Sequence, residues 1–312
     1  MSQISQDLIK RREKNIPQGP FNTTTAFIKK AEGACMTDVD GKKYIDFAGG
    51  IGVNNVGHSH PKVVKAITDQ AKSYIHTCFH VAMYEPYVEL AEKLNMLAPG
   101  NFDKMTMFAN SGAEAVENAV KITRYATKRT GIICFENAFH GRTQMAMSLT
   151  SKVKPYKLNF GPFVPEVYRM PYAYCYRCPF KLKYPSCDTA CADHLEDFFI
   201  GNVAPENTAA VIAEPIQGEG GFVTPPPEYF PKLKKICEKY DIPLIIDEIQ
   251  AGAGRTGKFF AIEHWGIEPD IITLAKSFAG GMPLSAVIGR ADLMNTPHAG
   301  GLGGTYGGNP VS

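Results

Sequence analysis

The stretch Ile271-Ile-Thr-Leu-Ala-Lys276-Ser-Phe-Ala-Gly-Gly281 sets a lysine directly after an apolar run of strand length. A lysine held in apolar surroundings loses its charge easily, and the neutral amine attacks carbonyls to form a Schiff base. The same placement also suits a lysine that lays its stem on apolar surface and keeps its ammonium in water. Leu244-Ile-Ile-Asp247 ends a second apolar run on an acid, at the edge where open α/β sheets gather their ligands. An acid there wants a cationic partner, although a helix cap or an ion pair would also use it. In Asn110-Ser-Gly-Ala-Glu114, Ser111 and the glutamate three residues later form a capping box that starts a helix. With Gly112 at the turn, the open N–H groups and the positive dipole end suit a phosphate. A helix that is merely well capped uses the same residues.

Two further patterns need weighing. Gly252-x-Gly254-x-x-Gly257 matches the glycine fingerprint of dinucleotide-binding folds, but the preceding apolar run stops at Asp247, too early for a tight strand-to-helix turn. Asp270 opens an apolar run, whereas the acid of the fingerprint closes one. A nicotinamide cofactor is therefore not expected. Cys175-x-x-Cys178 and Cys187-x-x-x-Cys191 sit in a Tyr- and Pro-rich stretch that reads as a surface excursion. They could wrap one tetrahedral Zn²⁺ or an iron–sulfur cluster, remain free thiols, or oxidise to disulfides. Any metal would staple the excursion; none is assigned to the catalytic residues.

The elements that must position these residues are those of an α/β domain. From about residue 60 onward, strand-length apolar runs alternate with longer helical patterns, which argues for a mostly parallel sheet. The clearest strands are Gly131 to Phe135, Ala209 to Ala213, Leu244 to Ile246 and Ile271 to Leu274; the clearest helices run from Ala113 to Thr127 and from Pro231 to Tyr240. Residues 1–55 read as a separate N-terminal segment with a small hairpin around Asp40-Gly41. There is no internal repeat and no low-complexity tract.

Composition narrows the class of function. The chain has 312 residues, 44% hydrophobic and 21% charged, enough for a large core. Its 33 basic residues against 31 acidic ones create no field large enough to attract nucleic acid or a membrane surface. The N-terminus is charged between Lys10 and Lys14 and lacks the apolar core of a signal peptide, and no apolar run approaches the roughly 18 residues of a membrane span. Small-molecule chemistry in the cytoplasm, with reduced cysteines, is the expectation.

The blocks Ser111-Gly-Ala-Glu-Ala-Val-Glu-Asn-Ala119, Phe139-His-Gly-Arg-Thr143, Glu214-Pro-Ile-Gln-Gly-Glu-Gly-Gly221, Asp247-Glu-Ile-Gln250, Ala275-Lys-Ser277 and Gly304-Thr-Tyr-Gly-Gly-Asn-Pro310 follow one another in the order of a known family. The chain resembles the class III aminotransferases, enzymes that use pyridoxal 5′-phosphate (PLP), and within them the 4-aminobutyrate branch. The likeness runs from about residue 25 to the end. It implies the large domain of the fold-type I PLP enzymes, here residues 56–312 after the N-terminal segment. The family continues for about a hundred residues more into a small C-terminal domain that these 312 residues do not include.

Residue roles follow from the resemblance alone. Lys276 would form the Schiff base with PLP and shuttle the substrate proton, and Asp247 would keep the pyridine nitrogen protonated. Gly112 and Ala113 match the phosphate-binding turn; Phe139, with its stacking face, and His140 stand among the cofactor-binding residues, with Gln250 near the phenolic oxygen. Thr305 matches a threonine that reaches the phosphate of a neighbouring subunit, which implies a homodimer with shared active sites. On the substrate side, Arg142 matches a carboxylate clamp, Glu219 a residue that neutralises a second arginine, and Ile51 a position that is aromatic in ornithine-type enzymes. That second arginine is not among these residues. His80 stands where close relatives have Gln. The implied reaction moves an amino group from an ω-amino acid, 4-aminobutyrate first, to 2-oxoglutarate. Acetylornithine or ornithine aminotransferases, a related amino-acid racemase, and a non-catalytic truncated fragment are the alternatives.

Overall fold

The computed structural model describes all 312 residues. Ten strands form two sheets. β1 (Ile28–Glu32), β2 (Cys35–Asp38) and β3 (Lys43–Ile45) make a small antiparallel sheet near the N-terminus, with the Asp40-Gly41 turn between β2 and β3. The large sheet contains β4 (Lys104–Ala109), β5 (Gly131–Phe135), β6 (Val167–Met170), β7 (Thr208–Ala213), β8 (Leu244–Asp247), β9 (Ile271–Leu274) and β10 (Ser285–Arg290). Their order is β4-β10-β9-β8-β7-β5-β6. Only β10 runs against the others, pairing antiparallel with both β4 and β9. The other six strands therefore point the same way, and their carboxyl ends lie along one edge.

The inner strands are buried on both sides, so they read as unbroken apolar runs instead of alternating ones. Successive residues still face opposite ways. Ile133, Phe135, Val211, Ala213, Leu244 and Ile246 join the larger apolar cluster. Ile132, Cys134, Ala210, Ile212 and Ile245 join the smaller one on the other face. The helix Gly112–Thr127 covers the second face with Ala115, Val116, Ala119, Val120 and Ile122. The helix Tyr229–Lys239 covers the first with Tyr229, Phe230, Leu233 and Ile236. No helix is long and apolar enough to cross a membrane.

The N-terminal segment is tied to the rest of the chain by several contacts. Gly33 bridges to His58, Asn55 donates to the Ala253 carbonyl at 3.0 Å, and the Ser277 hydroxyl donates to the Gly52 carbonyl at 2.7 Å. The segment between β6 and the helix Ala190–Gly201 contains no strand, only a 3₁₀ turn over Cys175–Arg177 and a series of bends. All eight cysteines are free.

Candidate active site

Five segments that follow strand ends, together with Val53 and the loop Gly281 to Leu284, line one cavity of about 380 Å³ at the carboxyl edge of the large sheet, a size suited to a small cofactor. β4 leads into Asn110, Ser111, Gly112 and Ala113; β5 into Phe139 and His140; β7 into Glu214; β8 ends on Asp247; β9 is followed by Ala275 and Lys276. This is where ligands of open α/β sheets bind, because the crossover connections part there.

The phosphate-like end of the cavity is the N-terminus of the helix Gly112–Thr127. Ser111 and Glu114 form the anticipated capping box: the Glu114 N–H donates to the Ser111 hydroxyl, and the Ser111 N–H donates to Glu114 Oε2 at 2.8 Å. The N–H groups of Gly112 and Ala113 precede the first intrahelical bond and are free to hold an anion. A Cβ at Gly112 would stand 2.9 Å from Ile249 Cδ1, so a larger residue would have to push the Ile249 side chain aside.

Asp247 is almost fully buried. Its Oδ2 lies 2.7 Å from His140 Nδ1, and its Oδ1 accepts the Ile249 N–H at 3.0 Å. His140 is buried too, and its Nε2 has no partner. Lys276 follows β9 in a left-handed backbone conformation (φ 54°), a geometry that costs a non-glycine residue about 1 kcal/mol. Burial lowers the pKa of its ammonium, while Asp247, Glu219 and Glu214 pull it back up. Lys276 lines the cavity and is half-buried.

Glu214 was not singled out by residue chemistry, although it follows an apolar strand as directly as Asp247 does. Its two oxygens accept the N–H groups of Phe139 (2.9 Å) and Gly218 (3.0 Å), so one carboxyl holds both the Phe139 loop and the glycine-rich loop carrying Glu219. Burial pushes its pKa up to about 7, with Asp247 adding to the rise and His140 opposing it.

A second, larger cavity of about 770 Å³ adjoins the first, and Glu219 and Gln250 line both. Ile51 and Arg255 line only the outer one. Arg142 lines neither. It is exposed, with its guanidinium 4.8 Å from the centre of the Tyr156 ring. Tyr156 in turn donates to Glu219 Oε2 at 3.2 Å and packs on Phe139, ring centres 4.8 Å apart. Tyr156 links the three and was missed in the sequence. Thr305 is exposed and lines neither cavity of its own chain. The glycine fingerprint at Gly252 to Gly257 lies in turns after Asp247, not at a strand-to-helix turn. His80 packs against the backbone of Gly303.

The sequence pattern of the family described as Aminotransferase class-III matches residues 18–312. The chain belongs to the class-III aminotransferases. It is 52% identical over 301 residues to a probable 4-aminobutyrate aminotransferase of Bacillus subtilis (strain 168), covering 96% of this chain and 69% of that protein. It is 47% identical to the 5-aminovalerate aminotransferase DavT of Pseudomonas putida (strain KT2440), covering 100% of this chain and 72% of that protein. Among solved structures, the PLP-bound amine transaminase of an uncultivated Pseudomonas species superposes with a TM-score of 0.87 at 30% identity, covering 94% of this chain and 69% of that one. The class-III aminotransferase chain is thus a PLP-dependent enzyme of fold type I, with the mostly parallel sheet anticipated from its apolar runs. The cavity fits that cofactor on its own evidence: an anion-ready helix end, a buried acid, an unpartnered buried imidazole nitrogen and a lysine with lowered pKa all face the same space.

Proposed function

We propose that this aminotransferase transfers the amino group of an ω-amino acid, 4-aminobutyrate first, to 2-oxoglutarate, using residues 56–312 as its cofactor-binding domain after the N-terminal segment 1–55. The observation that carries the reading is the cavity in which Lys276 and Asp247 meet, opening through Glu219 and Gln250 onto an outer chamber lined by Ile51. The relatives named for 4-aminobutyrate and 5-aminovalerate support it.

When bound, PLP supplies an aldehyde that condenses with amines and a ring that accepts the electron pair left at the substrate's amino-bearing carbon. Lys276 would hold the aldehyde through Nζ and would serve as the base that moves the proton to and from that carbon. Burial lowers its pKa, which favours the neutral amine. Asp247 holds a proton at the ring nitrogen, oriented by His140. The N–H groups of Gly112 and Ala113 bind the phosphate, Phe139 gives the ring a flat face and Gln250 approaches the phenolic oxygen. Arg142, steered by Tyr156, binds the substrate carboxylate, and Glu219 occupies the mouth between the two chambers.

Ile51 lines the outer chamber at the position that is aromatic in ornithine-type enzymes, which favours an ω-amino acid without an α-amino group over ornithine. The site is completed across a homodimer in the cytoplasm. Thr305 is exposed and outside its own cavity, and Phe47, Val81, Met83 and Phe222 are bare apolar side chains that a partner subunit would cover. A steady-state assay with 2-oxoglutarate and, in turn, 4-aminobutyrate, 5-aminovalerate and N-acetylornithine tests the proposal. The highest kcat/KM should belong to 4-aminobutyrate. Turnover of N-acetylornithine alone would overturn the substrate, and no turnover with PLP bound would leave only a cofactor-binding fragment.

A further inference from the structure

The excursion between β6 and the helix Ala190–Gly201 lacks the regular hydrogen bonding that usually fixes a surface segment. It is held by isolated turns: Lys181 N–H to the Cys178 carbonyl, Cys187 N–H to the Lys183 carbonyl and Ala190 N–H to the Cys187 carbonyl, each at 3.0 Å. Asp188 and Thr189 take left-handed conformations in succession, with φ 45° and 50°. Two such non-glycine residues in a row are strained, and they stand between Cys187 and Cys191. The strained turn brings Cys187 and Cys191 to a small cavity that Cys175 and Cys178 line from the other side.

That cavity measures about 20 Å³, room for one water-sized particle and no more. None of the residues that line it also lines the catalytic cavity. Thr189 lines it as well, 2% exposed, with its hydroxyl oxygen buried and without a partner. A buried hydroxyl left unpaired beside a hole of atomic size points to an occupant. The four thiols converge on the hole without closing around it, since nowhere do three or more Cys, His, Asp or Glu side chains already stand as a ligand set.

We propose that Cys175, Cys178, Cys187 and Cys191 bind a single structural Zn²⁺ that pins this excursion. Four thiolate sulfurs around one ion are a closed tetrahedral set, and soft sulfur donors select zinc over harder cations. The hole is too small for an iron–sulfur cluster. Each thiol binds as thiolate and gives its proton to solvent, up to four protons per zinc, with no electron transfer.

The test is elemental analysis of the protein purified without a metal-affinity tag, with thiol titration before and after a strong chelator. One zinc per chain and four slow thiols that the chelator makes reactive are expected. Adding Zn²⁺ back to chelator-treated protein should protect the same four thiols and raise Tm. Cys191→Ser should weaken zinc retention by about tenfold or more, while Cys35→Ser, at an exposed cysteine outside the cluster, should leave it unchanged. Should Cys191→Ser fail to fold, the wild-type titration decides alone. No zinc with four freely reactive thiols, thiols consumed as disulfides, or iron in place of zinc would each overturn the proposal.

Discussion

The carboxylate of Asp247 is held by two donors of different kinds, the imidazole of His140 on one oxygen and the N–H of Ile249 on the other. An amide cannot accept both, and it cannot carry the negative charge that keeps a ring nitrogen protonated. Asp247→Asn should leave phosphate anchoring at Gly112 and Ala113 largely intact while slowing proton removal by about a hundredfold to ten-thousandfold. Single-turnover rates with bound cofactor check this, and equal rates for the two proteins would remove the role. Lys276 and Asp247 were legible in the sequence because each ends an apolar run at a sheet edge. Glu214 was legible by the same rule, as it directly follows Ala209 to Ala213. Tyr156 was not. It meets Glu219 from 63 positions away, across a fold that no local pattern describes.

At the scale of elements, Glu248 does for the 3₁₀ turn Ala261–Trp265 what Glu114 does for the helix Gly112–Thr127. Its two oxygens accept the N–H groups of Ala261 (3.0 Å) and Ile262 (2.7 Å), and the side chain is fully buried. Burial pushes its pKa from 4.5 up to about 8, against those two donors. Between these values the folded chain keeps a proton that the unfolded chain releases, so this group's contribution to stability is full below pH 4.5 and falls as pH rises toward 8. Urea midpoints at pH 5 and pH 8.5 should therefore differ more for the wild type than for Glu248→Gln. A larger difference in the variant would contradict the assignment. Glu248→Ala should cost about 2–4 kcal/mol at pH 5, since two buried N–H groups lose their acceptor, and less at pH 8.5. The strands were the most legible elements because both-face burial leaves an apolar signature. Gly131 to Phe135 and Ile271 to Leu274 keep their sequence-stated limits. β4 and β10 were harder to see. β4 is only partly buried along its length, and the antiparallel pairing of β10 follows from topology and not from periodicity.

At the scale of the whole molecule, a site completed in trans makes a prediction that a self-contained site does not. Chains carrying Lys276→Ala and chains carrying Thr305→Val are each impaired alone. If Thr305 serves the neighbouring subunit, a mixed dimer contains one site with both residues intact, and mixing should restore up to about half of one dimer's activity. If Thr305 serves its own chain, mixing restores nothing. The shared site and the role of Asp247 both depend on Lys276 holding the cofactor at the edge of the sheet. The direct measurement is borohydride reduction of the PLP-loaded protein, followed by mapping of the labelled peptide. The reduced cofactor should be found on Lys276, with no label on Lys276→Ala; an equal yield of label on the alanine variant, or label on another lysine in the wild type, would contradict the account.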